Sequence, residues 1–231
     1  MTVDGRSGHA QGLTDAQELG AALALAKQRF KQLEFLPFES RAKAVDMTLA
    51  ASQHMFATLA KFRAARHLWA HVLAESGLPD APLSLHAETS RLMMAGVDAH
   101  TNILRGVTAV FGAGLGGADS ISVLPFSSRQ GVPNAFARRV ARNSQMVLLH
   151  EAHLWRVDDA AAGAGYVETL TQQISNEALA VMRRAENGDW PKGNPEASSV
   201  LPVVGVTKYE DAKQGRAEVD PTLVAIVAPS S

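Results

Sequence analysis

Apolar residues recur at helical spacing over two long stretches in the first third of the chain. They predict one helix over 15–36 and a second over 39–76. Thr14 and Gln17 form a capping-box pattern at the start of the first stretch, and Gly77 follows the second in the usual position for a helix end. The chain is therefore expected to open on long helices.

Two short apolar runs bounded by turn residues predict buried strands, over 83–87 and 120–124. Further helical patterns cover 98–114, 133–154 and 166–187. Alternation of strands and helices favours parallel strands joined by helical crossovers. Because a closed barrel needs eight strands, typically in about 250 residues, the sequence predicts an α/β fold that is a partial, helix-rich (β/α)8 barrel of the TIM type.

The composition along the chain predicts three regions. Residues 1–13 are polar and contain glycine, which indicates a flexible leader, and 14–187 would form the barrel part. Gly, Pro and Asn are frequent just after residue 187, so 188–231 is predicted to be a linker and an extended tail. Two apolar runs in this tail, 200–206 and 223–228, are predicted to be extended.

Composition and charge exclude several classes of protein. Hydrophobic residues make up 46% of the chain and charged residues 19%, a globular balance. A net charge of −1 predicts neither nucleic-acid nor membrane-surface binding. The absence of cysteine excludes disulfides and thiolate metal sites, and no apolar run approaches the roughly 20 residues of a membrane span. A cytoplasmic protein is expected.

Histidine and glycine clusters are the first candidates for chemistry. His150 and His153 have helical spacing, but no third ligand accompanies them, so no metal site is predicted. The glycines at 112, 114, 116 and 117 precede a strand, whereas a dinucleotide-binding loop follows one. They are interpreted as a helix end with a tight turn.

A second histidine pair, His67 and His71, lies on a predicted helix that also carries basic residues. These are Lys61, Arg63 and Arg66. The favoured interpretation is a solvated basic face rather than a ligand site.

Polar residues gather where the first predicted strand ends. His86, Glu88, Thr89 and Ser90 lie there, and in a parallel barrel that end of the strands carries the active site. His86 could bind a ligand carbonyl or act as a general acid, or it could be a buried histidine with its hydrogen bonds satisfied. The residues alone leave these alternatives open, and no nucleophile–base–acid set follows from the spacing.

An ordered series of motifs resembles the methylmalonyl-CoA mutase family. The series consists of Ala60–Trp69 (A-K-x-R-A-x-R-x-L-W), His86–Ser90 (H-x-[QE]-T-S), Asn102–Arg105 (N-I-x-R), Gly116–Gly117, Ala141–Gln145 (A-R-N-T-Q), Val157–Asp159 (V-A-D-P) and Val204–Tyr209 (V-G-V-N-K-Y). The resemblance implies the C-terminal portion of the family's barrel domain. It also implies adenosylcobalamin-dependent isomerisation of methylmalonyl-CoA and succinyl-CoA, with the substrate threading the barrel and the corrin carried by a separate domain.

Departures from the family's catalytic chains indicate its small, non-catalytic subunit. Glu88 stands where those chains have Gln, and Leu124 and Ser128 stand where they have an Asn and a Glu that hold the adenosyl ribose. The corrin-domain motif D-x-H-x-x-G does not occur in the sequence. No catalytic residue, cofactor-binding residue or metal ligand is therefore predicted, and this chain alone is expected to bind no cofactor.

The resemblance thus predicts an accessory chain that is inactive in isolation. Its expected partner is a mutase large (catalytic) subunit in a heterodimer, or a second copy of itself, since half a barrel would expose two strand edges and an apolar inner face. A surviving pocket could take acyl-CoA, and its candidate residues are His86, Glu88, Ser90, Asn102 and Arg105. One half of a split mutase and a non-functional fragment are the alternatives.

Overall fold

A computed structural model describes residues 1–194, 204 and 217–219 of the chain. Its centre is one sheet of four parallel strands in the order β1-β2-β3-β4. The strands are β1 (Thr2–Asp4), β2 (Asp46–Ala51), β3 (Ser84–Thr89) and β4 (Ser120–Ser122). The predicted α/β class is confirmed, and the parallel sheet is consistent with part of a (β/α)8 barrel.

Helices cover one face of this sheet. They are α1 (Arg6–Ala10), α2 (Asp15–Gln32), α3 (Phe38–Arg41), α4 (Met55–Glu75), α5 (Thr101–Leu115), α6 (Ala135–His150) and α7 (Gly165–Glu186), with 3-10 turns at Ala42–Ala44 and Leu154–Arg156. The predicted capping box begins α2: Thr14 Oγ1 accepts from the Gln17 amide at 3.3 Å, and the Gln17 side chain accepts from the Thr14 amide at 3.0 Å.

Two predicted elements differ from the structure. The segment 1–13, predicted to be a flexible leader, contains β1 and α1, because pairing with β2 orders it and buries Val3. The helix predicted over 39–76 is interrupted by β2 and only starts at Met55. The alternation of β2 covers only the four residues 46–49, and Val45 and Leu49 are also four residues apart, which fits a helix equally well. The apolar run at 223–228 lies outside the described residues.

The face of the sheet opposite the helices is polar. Strand register places the even-numbered strand residues together on this inner face, while odd-numbered residues such as Met47, Leu49 and Leu85 are buried under the helices. The inner face carries Thr2, Asp4, Asp46, Thr48, Ala50, Ser84, His86, Glu88, Ser120 and Ser122. The predicted apolar inner face is therefore wrong.

Helix α5 crosses α4 closely through two glycines. A Cβ on Gly112 would lie 2.7 Å from the carbonyl oxygen of Met55, and one on Gly116 would lie 2.7 Å from that of Leu59. Only the next glycine, Gly117, has the left-handed backbone (φ +92°) of a turn. The glycine cluster is thus mainly a helix–helix contact, and its interpretation as a helix end holds for its last members.

His67 and His71 are exposed, as predicted for a solvated face, but two other basic residues of α4 do not belong to that face. Lys61 is fully buried and Arg63 is 6% exposed. The Arg63 guanidinium donates to Asp159 at 2.8 Å and to Glu168 at 3.0 Å, which ties the loop before α7 and the start of α7 to α4. These side chains are held by carboxylates from distant parts of the chain, which their own helical pattern does not show.

Candidate functional site

His86 lies in the middle of the inner face, bonded to β4. Its Nδ1 is 2.7 Å from Ser120 Oγ and its Nε2 is 3.1 Å from Ser122 Oγ. Both ring nitrogens therefore have hydroxyl partners, and the ring bridges two strands. This arrangement matches the satisfied histidine that the sequence left open, although the side chain lies on an open face rather than in the core.

Glu88 is held by an arginine from the N-terminal segment. Arg6 donates to Glu88 Oε2 at 2.6 Å, and it also donates to both carboxylate oxygens of Asp4, at 2.9 and 2.7 Å. On β2, Thr48 lies beside Asp4 and Ala50 lies beside Glu88. The guanidinium therefore reaches from β1 to β3 across β2, where the side chains are small. The hydrogen bond from Arg6 holds the pKa of Asp4 below its usual value. A carboxylate at position 88 thus has a local ionic role.

Ser90 belongs to a buried polar chain that runs from α1 to α4. Its Oγ is 2.6 Å from His9 Nε2, and His9 Nδ1 is 3.7 Å from the buried carboxylate of Glu18. Lys61 Nζ donates to Glu18 at 2.7 Å and to Asp15 at 2.6 Å. The other Glu18 oxygen accepts from the backbone amide of residue 50 in β2, at 2.7 Å. This series of polar contacts joins the loop after β3 to α1, α2 and α4.

Burial sets the protonation of His9. Desolvation lowers its pKa, and this effect outweighs the attraction of Glu18. Since the unfolded value is about 6.5, the unfolded chain takes up this proton first as the pH falls. We expect the stability that neutral His9 confers to be complete above that pH and to be lost progressively below it. Urea titrations between pH 7.5 and 5, above the range of the carboxylates, would measure this loss.

The matched variant for this titration is His9→Gln, which keeps a polar group near Ser90 but cannot titrate. Its stability should depend less on pH over the same range than that of the parent chain. Equal slopes for the two proteins would show that His9 does not cause the dependence.

Asn102 and Arg105 lie at the start of α5 and bond to other parts of the chain. The buried Asn102 amide donates to the carbonyls of Ala95 and Phe126, at 2.9 and 2.8 Å. Arg105 donates to Asn102 Oδ1 at 2.6 Å and to the carbonyl of Val204 at 2.5 Å. Within the described part of the chain, no hydrogen bond or ion pair joins these two residues to the His86, Glu88 and Ser90 group. The structure thus places the five predicted residues in separate networks.

Sequence reasoning missed the partners of Glu88 and Ser90. Arg6 lies 82 residues from Glu88, and His9 lies 81 residues from Ser90. Both belong to the segment predicted to be a leader. The sequence around Arg6 and His9 does not indicate these partners, because Glu88 and Ser90 are brought near only by the pairing of β1 with β2 and of β2 with β3.

The positions that hold adenosyl ribose in the family's catalytic chains do not fit that group here. Leu124 packs its side chain against the main core, and only its backbone amide forms a polar contact, to Thr89 Oγ1 at 2.8 Å. At the other position, Ser128 offers a short hydroxyl where the family has a longer carboxylate.

No metal site is formed by the residues that the structure describes. They contain no group of three or more histidine, aspartate and glutamate side chains placed to hold a metal ion. His153 has a left-handed backbone outside α6, so it does not share a helical face with His150.

No helix in the described ranges has the length and apolar character that crossing a bilayer requires.

The sequence profile of the family described as Methylmalonyl-CoA mutase matches residues 1–189 of the chain. The chain belongs to the methylmalonyl-CoA mutase family. The resemblance drawn from the motifs is confirmed, and the matched range covers all the strands and helices described above.

Several relatives carry the small-subunit name. The chain is 44% identical over 192 residues to the methylmalonyl-CoA mutase small subunit of Streptomyces virginiae, covering 82% of this chain and 31% of the relative. It is 34% identical to the small subunit of Porphyromonas gingivalis, covering 87% and 34%. The methylmalonyl-CoA mutase of Escherichia coli is 32% identical, covering 68% and 25%. The chain thus spans about a third of the length of the first two relatives and a quarter of the third.

Proposed function

We propose that this chain is an accessory, small-subunit-like part of a methylmalonyl-CoA mutase, which supports a large catalytic subunit and performs no chemistry itself. The observation that carries the proposal is the state of the five candidate pocket residues. Each one already forms a hydrogen bond or ion pair with another part of the chain. These contacts occupy much of the hydrogen-bonding capacity of the five side chains and give each of them a role in the fold.

The departures from the catalytic chains support the same proposal. Glu88 pairs with Arg6, so its carboxylate is neutralised within the sheet. Leu124 puts an aliphatic side chain where a ribose hydroxyl would need a polar partner, and an unpaired hydroxyl in such a place typically costs about 1–3 kcal/mol. The adenosylcobalamin and the acyl-CoA thioester of the complex would accordingly be handled by the large subunit.

The polar inner face fits an accessory role in a shared fold. Its aspartate, glutamate, serine and histidine side chains would be costly to bury unpaired. Internal pairs such as Arg6 with Asp4 and Glu88 reduce that cost. The face can therefore lie inside an assembled barrel without a bound substrate.

The test is a comparison of mutase activity in three preparations, all with methylmalonyl-CoA and adenosylcobalamin present. These are this chain alone, the large subunit alone, and the two coexpressed and copurified through a tag on this chain. We expect no succinyl-CoA from this chain alone, recovery of the pair in near-equal amounts, and more stable activity in the pair than in the large subunit alone.

Two outcomes would contradict the proposal. Turnover by this chain alone would make it catalytic. Failure of the two chains to copurify, with an unchanged half-life of the large subunit, would remove the accessory role and favour a fragment without function.

A further inference from the structure

Helix α6 leaves most of its apolar side chains uncovered. Within its 16 residues only Ala137 and Ala141 are buried. Four large apolar side chains of α6 are between 43% and 50% exposed, namely Phe136, Met146, Val147 and Leu149. By contrast, half of the 18 residues of α2 are buried. Exposed apolar side chains gathered on one helix mark a surface that another molecule covers.

Phe136 and Val147 border a groove between α5 and α6, of about 470 Å³. Its apolar lining comes from both helices and consists of Ile103, Val107, Phe136, Val140, Val147 and Leu148. Arg139 is the charged residue at its border, with its guanidinium 5.6 Å from the centre of the Phe136 ring. The groove has the shape and lining that accept the apolar side of a helix.

The charge of α6 indicates which kind of molecule would bind in the groove. The helix carries Arg138, Arg139 and Arg142, and it contains no aspartate or glutamate. Among the described residues, no carboxylate forms an ion pair with any of the three. Of the three, Arg139 lines the groove, so a molecule there would meet unneutralised positive charge, and acidic side chains on it would be attracted.

This charge disfavours a second copy of the same surface. A two-fold dimer through α6 would bring the same positive charge to both sides of the contact, and α6 has no carboxylate to balance it. Like charges in such a contact are repulsive. A different chain with an acidic surface is the better fit.

We propose that the α5–α6 groove is the surface on which this chain docks the mutase large subunit, through an acidic amphipathic helix of that subunit. The inference rests on the proposed accessory function and assigns its contact surface. The apolar groove would supply the buried centre of the contact, and Arg139 would form its ionic border.

The test measures the dissociation constant of the full chain and the purified large subunit by isothermal titration calorimetry. Val147→Asp puts a carboxylate in the groove, and Arg139→Glu reverses the border charge. Each is expected to weaken binding at least tenfold, and Arg139→Glu should also reduce the dependence of binding on salt. Phe35→Asp is the matched control, since Phe35 is 79% exposed in the turn after α2, and it should leave the constant unchanged.

The outcomes separate this inference from the function on which it rests. If the wild-type chain does not bind the large subunit, both fail. If the wild type binds and the two groove variants bind equally well, the docking surface is wrong and the accessory function stands. Loss of binding only in Phe35→Asp would move the contact to the turn after α2. Circular dichroism of each variant checks its fold.

Two further outcomes would overturn the assignment of the partner. Sedimentation of the wild-type chain as a dimer that Val147→Asp converts to a monomer would give the groove to a second copy. Binding of the wild type, but not of Arg139→Glu, to vesicles of phosphatidylserine and phosphatidylcholine would give it to a lipid surface.

Discussion

Replacing Lys61 with methionine is expected to destabilise the folded chain by about 3–5 kcal/mol. Lys61 and Glu18 are both fully buried, and the ammonium group lies 2.6–2.7 Å from carboxylate oxygens of Asp15 and Glu18. Burial alone would lower the pKa of Lys61, but the two carboxylates raise it above its usual value, so the group is charged at every relevant pH. Methionine fills a similar volume and leaves the Glu18 charge buried without its cation.

Urea denaturation at pH 7.5, followed by circular dichroism, measures this effect. The matched control is Lys27→Met, since Lys27 also binds two carboxylates, those of Glu75 and Glu186, but at the surface. That pair of contacts should be worth less than about 1 kcal/mol. The double variant Lys61→Met with Glu18→Gln should recover part of the loss, because the amide oxygen can still accept from β2. Equal effects of the two lysine variants would contradict the buried-charge explanation.

Replacing Gly112 with alanine is expected to destabilise the fold by about 1–3 kcal/mol, the usual cost of overpacking. The new Cβ would lie 2.7 Å from the carbonyl oxygen of Met55 and 3.3 Å from Thr58 Cβ. A backbone carbonyl at the start of α4 cannot move aside as a flexible side chain can. Helices α4 and α5 would therefore separate, and the sheet beneath them would lose part of its cover.

Gly114→Ala in the same helix is the control for this variant. Its Cβ would meet only the side-chain tips of Leu154 and Ile121, at ordinary distances of 3.6 and 4.0 Å. Because alanine is a better helix former than glycine, this variant should be more stable than the parent by up to about 1 kcal/mol. The two midpoints in urea should thus shift in opposite directions. A stabilised Gly112→Ala would show that the two helices are not in close contact.

Glu88 and Ser90 both bond to the N-terminal segment. These two pocket candidates are therefore among the residues that hold the sheet and its loops together.

Local sequence patterns predicted several helix boundaries and the family of this protein. Thr14 and Gln17 predicted the start of α2, and the apolar spacing over 166–187 predicted α7 to within a residue at each end, since capping and helical periodicity act within a few positions. The ordered motifs also identified the family, which the match over residues 1–189 confirms.

Two strands and several long-range contacts were seen only in the tertiary structure. Strands β1 and β2 were not predicted, because a strand of three residues has almost no pattern and the short alternation of β2 also contains apolar residues at helical spacing. The burial of Lys61, the polar inner face and the pairing of Arg6 with Glu88 all depend on contacts between residues tens of positions apart. A sequence read in short windows contains no information about those distances, whereas strand pairing fixes them.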